Sequence, residues 1–315
     1  MESLEERINN AKKVGHWKKA LESKHNCESK NCPQNAINSH IIQKNRILDK
    51  ISERGKVIIS EVDMFDFDSF PFKEIGLKNA LIFKGFCNEH DTILFRPIEQ
   101  IDKIDYTNHD NLLLFNYRTL VNEKRRKENL ITYWTSLIED KSISVNNVEL
   151  ESEIKNAELD IIDIAKMLES LTIDLYSSPK SPKYTFNVYK TSRKEVCLSS
   201  LFTHKIDNKG NPHDIIINYF PINDKENILI LGYPKTSEKE CGPWSRSFRK
   251  KSEKEIFTEI NKLLFRKCEM WACSKGLFET KIKPIEDKIQ KLMKETASNQ
   301  DLYADADVHF NILAN

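Results

Sequence analysis

Apolar positions recur at helical spacing from residue 2 to about 22, where Leu4, Ile8, Ala11, Val14 or Gly15, Trp17 and Leu21 mark one face, so the chain opens on a predicted amphipathic helix. The pattern stops between His25 and Gln34, a polar stretch with too few apolar side chains to hold a shape unaided. Ile41 to Ile51 reads as a short helix ending near Gly55, and Val57 to Val62 reads as a strand. Phe65, Phe67, Phe70 and Phe72 follow among aspartates and Pro71, which predicts a loop anchored by aromatic rings. Two long helices come next, at roughly 107–139 and 149–176, the first with Leu113, Tyr117, Leu120, Ile131, Trp134 and Ile138 on recurring turns; they are expected to pack on each other.

The serine and proline cluster from Ser177 to Pro182 is the clearest break in the chain, and beyond it the period changes. Tyr184–Lys190, Val196–Thr203, Ile215–Phe220 and Ile228–Leu231 are β-rich runs separated by turn signals such as Asp207 to Gly210, which predicts an antiparallel sheet. Helices at about 252–272 and 276–295 close the pattern. The predicted class is α+β, divided into an N-terminal module with its helix (1–104), a helical region (105–178) and a further α+β domain (179–315).

Composition narrows the function classes. With 315 residues the chain can bury a substantial core, so size does not force metal or disulfide staples on it. Lys+Arg 49 against Asp+Glu 48 leaves a formal charge of +1, so attraction to nucleic acid or membrane would have to come from a local patch. Seven cysteines are an odd count, and the first residues are polar and acidic where a secretory segment would be apolar; both point to a reducing cytoplasm, where spaced cysteines more often bind metal than pair. The longest apolar runs, such as Leu112 to Phe115, are too short to cross a bilayer.

Zinc is commonly held by two short ligand pairs that the fold brings together. Cys27 and Cys32 enclose four residues (28–31), and Cys87 and His90 enclose two (88–89), with Gly85 just ahead for a tight turn. These four side chains are the expected ligands of one structural Zn²⁺ in a treble-clef-like module. Cys268 and Cys273 read as core residues beside Trp271, and Cys197 and Cys241 have no partner that sequence identifies.

Between the two pairs lies Asn38-Ser39-His40-Ile41-Ile42-Gln43, and here the sequence resembles the HNH, or His-Me finger, nuclease family over roughly residues 25–100. The resemblance is one of motif order. It implies that His40 is a general base, that Asp91 is a ligand of a catalytic Mg²⁺ or Mn²⁺, and that the substrate is nucleic acid, DNA or RNA. The family's middle asparagine has only a poorly spaced counterpart in Asn79, and the segment from His40 to Cys87 is long; its Asp63, Asp66 and Asp68 read as a solvated acidic loop. His40 also reads as a buried histidine bonded to backbone.

The best local basic patch is Lys124-Arg125-Arg126-Lys127 with Arg118 earlier on the same predicted helix, read as a phosphate-contacting face or as a solvated one. Trp244, Arg246, Arg249, Lys250 and Lys251 read as a surface loop before a helix. A looser similarity to bacterial proteins sharing Ser39-His40, Gly85 to Asp91 and Tyr117-Arg118 implies a prokaryotic origin and a role in anti-phage defence. The alternative is a non-catalytic, zinc-stabilised binding or sensing protein whose C-terminal domain meets a protein partner. No P-loop, Gly-x-Gly-x-x-Gly, Gly-x-Ser-x-Gly or His-Glu-x-x-His motif is present.

Overall fold

A computed structural model describes residues 4–61, 72–99, 104–177, 182–268, 270–297 and 308–314. It is an α+β arrangement centred on one antiparallel sheet. The strands are β1 (Asn38–His40), β2 (Lys56–Glu61), β3 (Phe72–Gly76), β4 (Ile82–Lys84), β5 (Tyr184–Ser192), β6 (Val196–Ile206), β7 (Pro212–Pro221), β8 (Glu226–Pro234) and β9 (Met270–Cys273). The helices are α1 (Leu4–Glu22), α2 (Asn88–Glu99), α3 (His109–Glu139), α4 (Asn147–Tyr176), α5 (Glu238–Ser247), α6 (Glu253–Arg266), the single turn α7 (Lys275–Leu277) and α8 (Glu286–Ala297). None of the described helices is long and apolar enough to cross a membrane.

Seven strands form the main sheet in the order β3-β2-β9-β6-β7-β8-β5, every neighbouring pair antiparallel, while β1 and β4 make a separate two-stranded ribbon. The sheet is buried on both faces, and alternation sorts its side chains. Ile216, Phe220, Ile228 and Ile230 join a cluster with Leu113, Leu120 and Leu171 of α3 and α4, while Ile215, Ile217, Tyr219, Leu229 and Leu231 join one with Phe248, Ile256, Ile260 and Leu264 on the opposite side. The helices start where local chemistry tells them to. Asn108 and Asn146 accept the Asn111 and Glu149 backbone N–H groups at the starts of α3 and α4, and Ser252 with Glu255 forms a reciprocal capping box for α6.

The β-rich runs beyond residue 184 fall where the alternation puts them, as do the two long helices and the helical start. Other expectations are corrected. Ile41–Ile51 yields only a 3₁₀ turn, Leu48–Ile51. The expected helix 252–272 stops at Arg266, and Met270–Cys273 instead becomes β9, wedged between β2 and β6. The expected surface loop around Trp244 is helix α5, despite Gly242 and Pro243 inside it. Phe72, assigned to a loop, begins β3. Phe65, Phe67, Phe70, Asp63, Asp66 and Asp68 lie outside the described residues, as does much of the Ser177–Pro182 cluster. On α1 the buried contacts are made by Ala20 and Trp17, the latter edge-on to Tyr133 at 5.6 Å, while Ile8 and Leu21 are exposed.

The β2–β3 hairpin is inserted between His40 and Cys87 and adds two strands to a sheet whose other members lie beyond residue 184. The N-terminal segment and the C-terminal half therefore share a sheet and a core.

Candidate metal centre and the histidine beside it

The loop from Cys27 to Cys32 is shaped by its own backbone. Cys27 N–H donates to Gln34 O at 2.8 Å and Cys32 N–H to Ser29 O at 3.1 Å, and Asn31 takes a left-handed conformation (φ 61°) that asparagine tolerates. This loop is then fastened to the segment ahead of α2. Glu28 N–H donates to Gly85 O at 2.9 Å, Ile37 N–H to Phe86 O at 2.8 Å, and β1 pairs with β4 in the register Asn38 to Lys84 and His40 to Ile82. Phe86 is fully buried edge-on to Phe95 and Tyr117, which fixes where Cys87 and the first turn of α2 come to lie.

The result brings the two predicted pairs together. Cys27 Sγ lies 3.6 Å from His90 Nδ1, Cys32 Sγ lies 3.9 Å from Cys87 Sγ, and Cys87 Sγ lies 3.1 Å from His90 Nδ1; the four ligand atoms all lie within 4.8 Å of one another. With zinc bonds of ~2.3 Å to sulfur and ~2.0 Å to nitrogen, a tetrahedron sets about 3.8 Å between two sulfurs and about 3.5 Å between sulfur and nitrogen. Two of the three separations match, and the third needs to open slightly. The donor set is soft, closed and convergent, so this group can hold a metal ion such as zinc. Burial pushes the Cys27 thiol up to about 11. Burial also acts against Cys87, but the His90 backbone N–H and side chain and the neighbouring thiols outweigh it and bring that group down to about 7.

His40 stands at the end of β1, half-buried. Its Nε2–H donates to the Leu77 carbonyl at 2.9 Å, which leaves Nδ1 as the ring's acceptor. Burial lowers the imidazole pKa, opposed by the Leu77 bond; the charges of Lys44 and Arg118 lower it further and that of Asp91 raises it. Neutral His40 is thus the favoured form near pH 7. Asp91 lies in the first turn of α2, and its Oδ1 faces Arg118 Nη2 at 3.5 Å. Arg118 comes from α3, stacks over the Phe95 ring at 3.9 Å and binds Glu99 through Nη1 at 2.6 Å. Glu99, at the end of α2, is the member of this group that sequence reading missed; its place two turns after Asp91 on one helix was the available signal.

The basic run is engaged within the molecule. Arg118 and Arg125 are buried, and all five residues are engaged in ion pairs. Lys124 binds Glu28 at 2.6 Å, Arg125 binds Glu28 at 2.9 Å and also Glu128, Arg126 binds Glu123 at 3.1 Å, and Lys127 binds Asp160 at 2.6 Å. Arg125 also donates to the Asn26 and Lys84 carbonyls. Lys124 and Arg125 hold α3 against the cysteine loop, Lys127 ties it to α4 and Arg118 ties it to α2. Burial alone would raise the Glu128 carboxyl, but His25 and Arg125, with Lys124 nearby, outweigh it and hold it at about 2. A folded-state pKa below the ordinary 4.5 stabilises the fold above that ordinary value and is lost as pH falls through the folded one. Melting temperatures of the wild type and Glu128→Gln should therefore differ most above about pH 4.5 and converge as pH drops below it.

No protein-family model, curated protein or solved structure matches this chain.

Proposed function

We propose that Cys27, Cys32, Cys87 and His90 hold one structural zinc ion in a treble-clef-like module, and that the module frames an HNH-like endonuclease site with His40 as general base and Asp91 as ligand of a catalytic Mg²⁺ or Mn²⁺. The observation that carries the reading is the order of parts around the cysteine-histidine group: β1 ending in His40, antiparallel to β4, followed by α2 with Asp91 in its first turn. Tethered through Nε2, the His40 ring is oriented so that Nδ1 can accept a proton from water. A divalent ion at Asp91 would supply charge neutralisation at a phosphate and its leaving oxygen. Arg118 takes one oxygen of Asp91, so it positions that carboxylate and limits the negative charge offered to the ion.

The substrate class is nucleic acid, and a part in prokaryotic defence against phage fits a nuclease of this type. The test is cleavage of single- and double-stranded DNA and RNA with Mg²⁺ or Mn²⁺. His40→Ala is expected to lower the rate by about 10²- to 10⁴-fold with zinc content unchanged. The wild-type rate should rise with pH and level off at a lower pH than an unburied imidazole would set. Undiminished cleavage by His40→Ala would remove that residue from the mechanism.

One observation favours a second reading. Arg118 lies between Asp91 and Glu99, so the carboxylate a divalent ion would use already has a cation beside it. In that reading the zinc module is a scaffold in a non-catalytic binding or sensing protein, and one zinc per chain with no cleavage of any of these substrates selects it.

A further inference from the structure

Helix α4 carries two apolar faces. Ala157, Ile164, Met167, Leu168 and Leu171 are buried in the molecule's own core. Val148, Leu159, Ile162, Ile173 and Tyr176 are exposed, by 77%, 60%, 51%, 49% and 65% respectively. At 3.6 residues per turn those five fall within an arc of about 100° on the side opposite the buried one. They lie on a frame that continues in steps of four and three residues, 148-152-155-159-162-166-169-173-176, the seam spacing of a helix that pairs with another helix. Five of the nine positions are apolar, and the other four are Ser152, Lys155, Lys166 and Glu169.

We infer that the part of this stripe from Leu159 to Tyr176 is the contact surface of a homodimer in which α4 packs antiparallel on α4 of a second copy. The charges on the seam select both the partner and its direction. In a parallel, in-register pair, Lys166 would face Lys166 and Glu169 would face Glu169. With the helices antiparallel and the two-fold axis between residues 167 and 168, Leu159 faces Tyr176, Ile162 faces Ile173 and Lys166 faces Glu169, each pair occurring twice by symmetry. Apolar groups then meet apolar groups and opposite charges meet. Sliding one helix by a heptad in either direction sets Ile162 on Lys166 or Tyr176 on Lys166, so the register is specified too. Lys166 now binds Asp163 on its own helix at 2.8 Å, an exposed pair that costs little to exchange. The paired segment from residue 159 to 176 is about 26 Å long, which places the contact at the small end of specific interfaces and its Kd on the order of micromolar.

Full-length protein followed by sedimentation velocity from about 1 to 100 μM should pass from the monomer mass to twice that mass. Ile162→Asp with Ile173→Asp should remain monomeric throughout while melting as the wild type does, since both positions are exposed. Lys166→Glu should weaken association by about tenfold or more, and adding Glu169→Lys should restore it. Leu159→Cys with Tyr176→Cys should cross-link two chains under mild oxidation, whereas Ile162→Cys alone should not. A wild type that stays monomeric at 100 μM overturns the proposal and assigns the stripe to a different protein; cross-linking through Ile162→Cys alone overturns the antiparallel arrangement.

Discussion

Cys87→Ser is expected to emerge from purification with no bound metal, and the wild type, on the zinc reading proposed above, with about one zinc per chain by elemental analysis. The serine hydroxyl is a poor zinc ligand, and the remaining three groups lack the anchor that joins the cysteine loop to α2. Apparent binding free energies of structural zinc in small zinc modules are on the order of 10–16 kcal/mol, and where the site exists only in the fold that energy is folding energy. The segment from His25 to Gln34 has almost no core of its own, since Cys27 is its sole buried hydrophobic side chain. Loss of the metal should therefore open the loop to proteolysis after Lys24 or Lys30 while α3, α4 and the large sheet persist by circular dichroism. A Cys87→Ser protein that keeps stoichiometric zinc and resists protease would mean the four side chains do not act as a site.

The second large effect is expected at Asp174, which is fully buried near the end of α4. Its Oδ2 accepts the Lys183 and Tyr184 backbone N–H groups at 2.7 and 3.0 Å, and also His109 Nε2–H at 3.0 Å. One carboxylate thus ties the start of α3, the end of α4 and the entry to β5, across the break that the sequence marks most clearly. Asp174→Ala leaves three donors without this acceptor, two of them the backbone N–H groups of Lys183 and Tyr184, and should destabilise the protein by about 3–5 kcal/mol. Asp174→Asn keeps an acceptor oxygen and should cost about half as much. Urea unfolding of the two variants measures the difference; equal midpoints for Asp174→Ala and wild type would show that the bonds are replaced by others.

The four candidate metal-holding residues were legible because their chemistry is local: two short pairs, the first set in a polar segment that has little else to fold around. The central strands were legible because Ile215–Phe220 and Ile228–Leu231 are dense in β-branched and aromatic residues. What failed depends on distant partners. Met270-Trp271-Ala272-Cys273 continues a helical apolar pattern and becomes β9 only because β2 and β6 flank it on both edges. Gly242 and Pro243 argue against α5, yet the helix is held by Cys241 and Ser245 in the core and by Glu238 bonding Arg246 across its turns. The run from Lys124 to Lys127 shows the sign of its charge in the sequence but not its acids, of which Glu28 and Asp160 lie on other elements.

The hairpin between His40 and Cys87 has a consequence for the order of synthesis. Its inner strand, β2, pairs with β9, so everything around His40 leaves the ribosome about 200 residues before the strand that completes its sheet. Until then the edge of β2 is an open row of amide and carbonyl groups able to recruit any passing strand. A nascent chain of this protein is therefore exposed to mispairing for most of its translation, and a fragment cut before residue 270 should behave as an aggregating species and not as an isolated folded module.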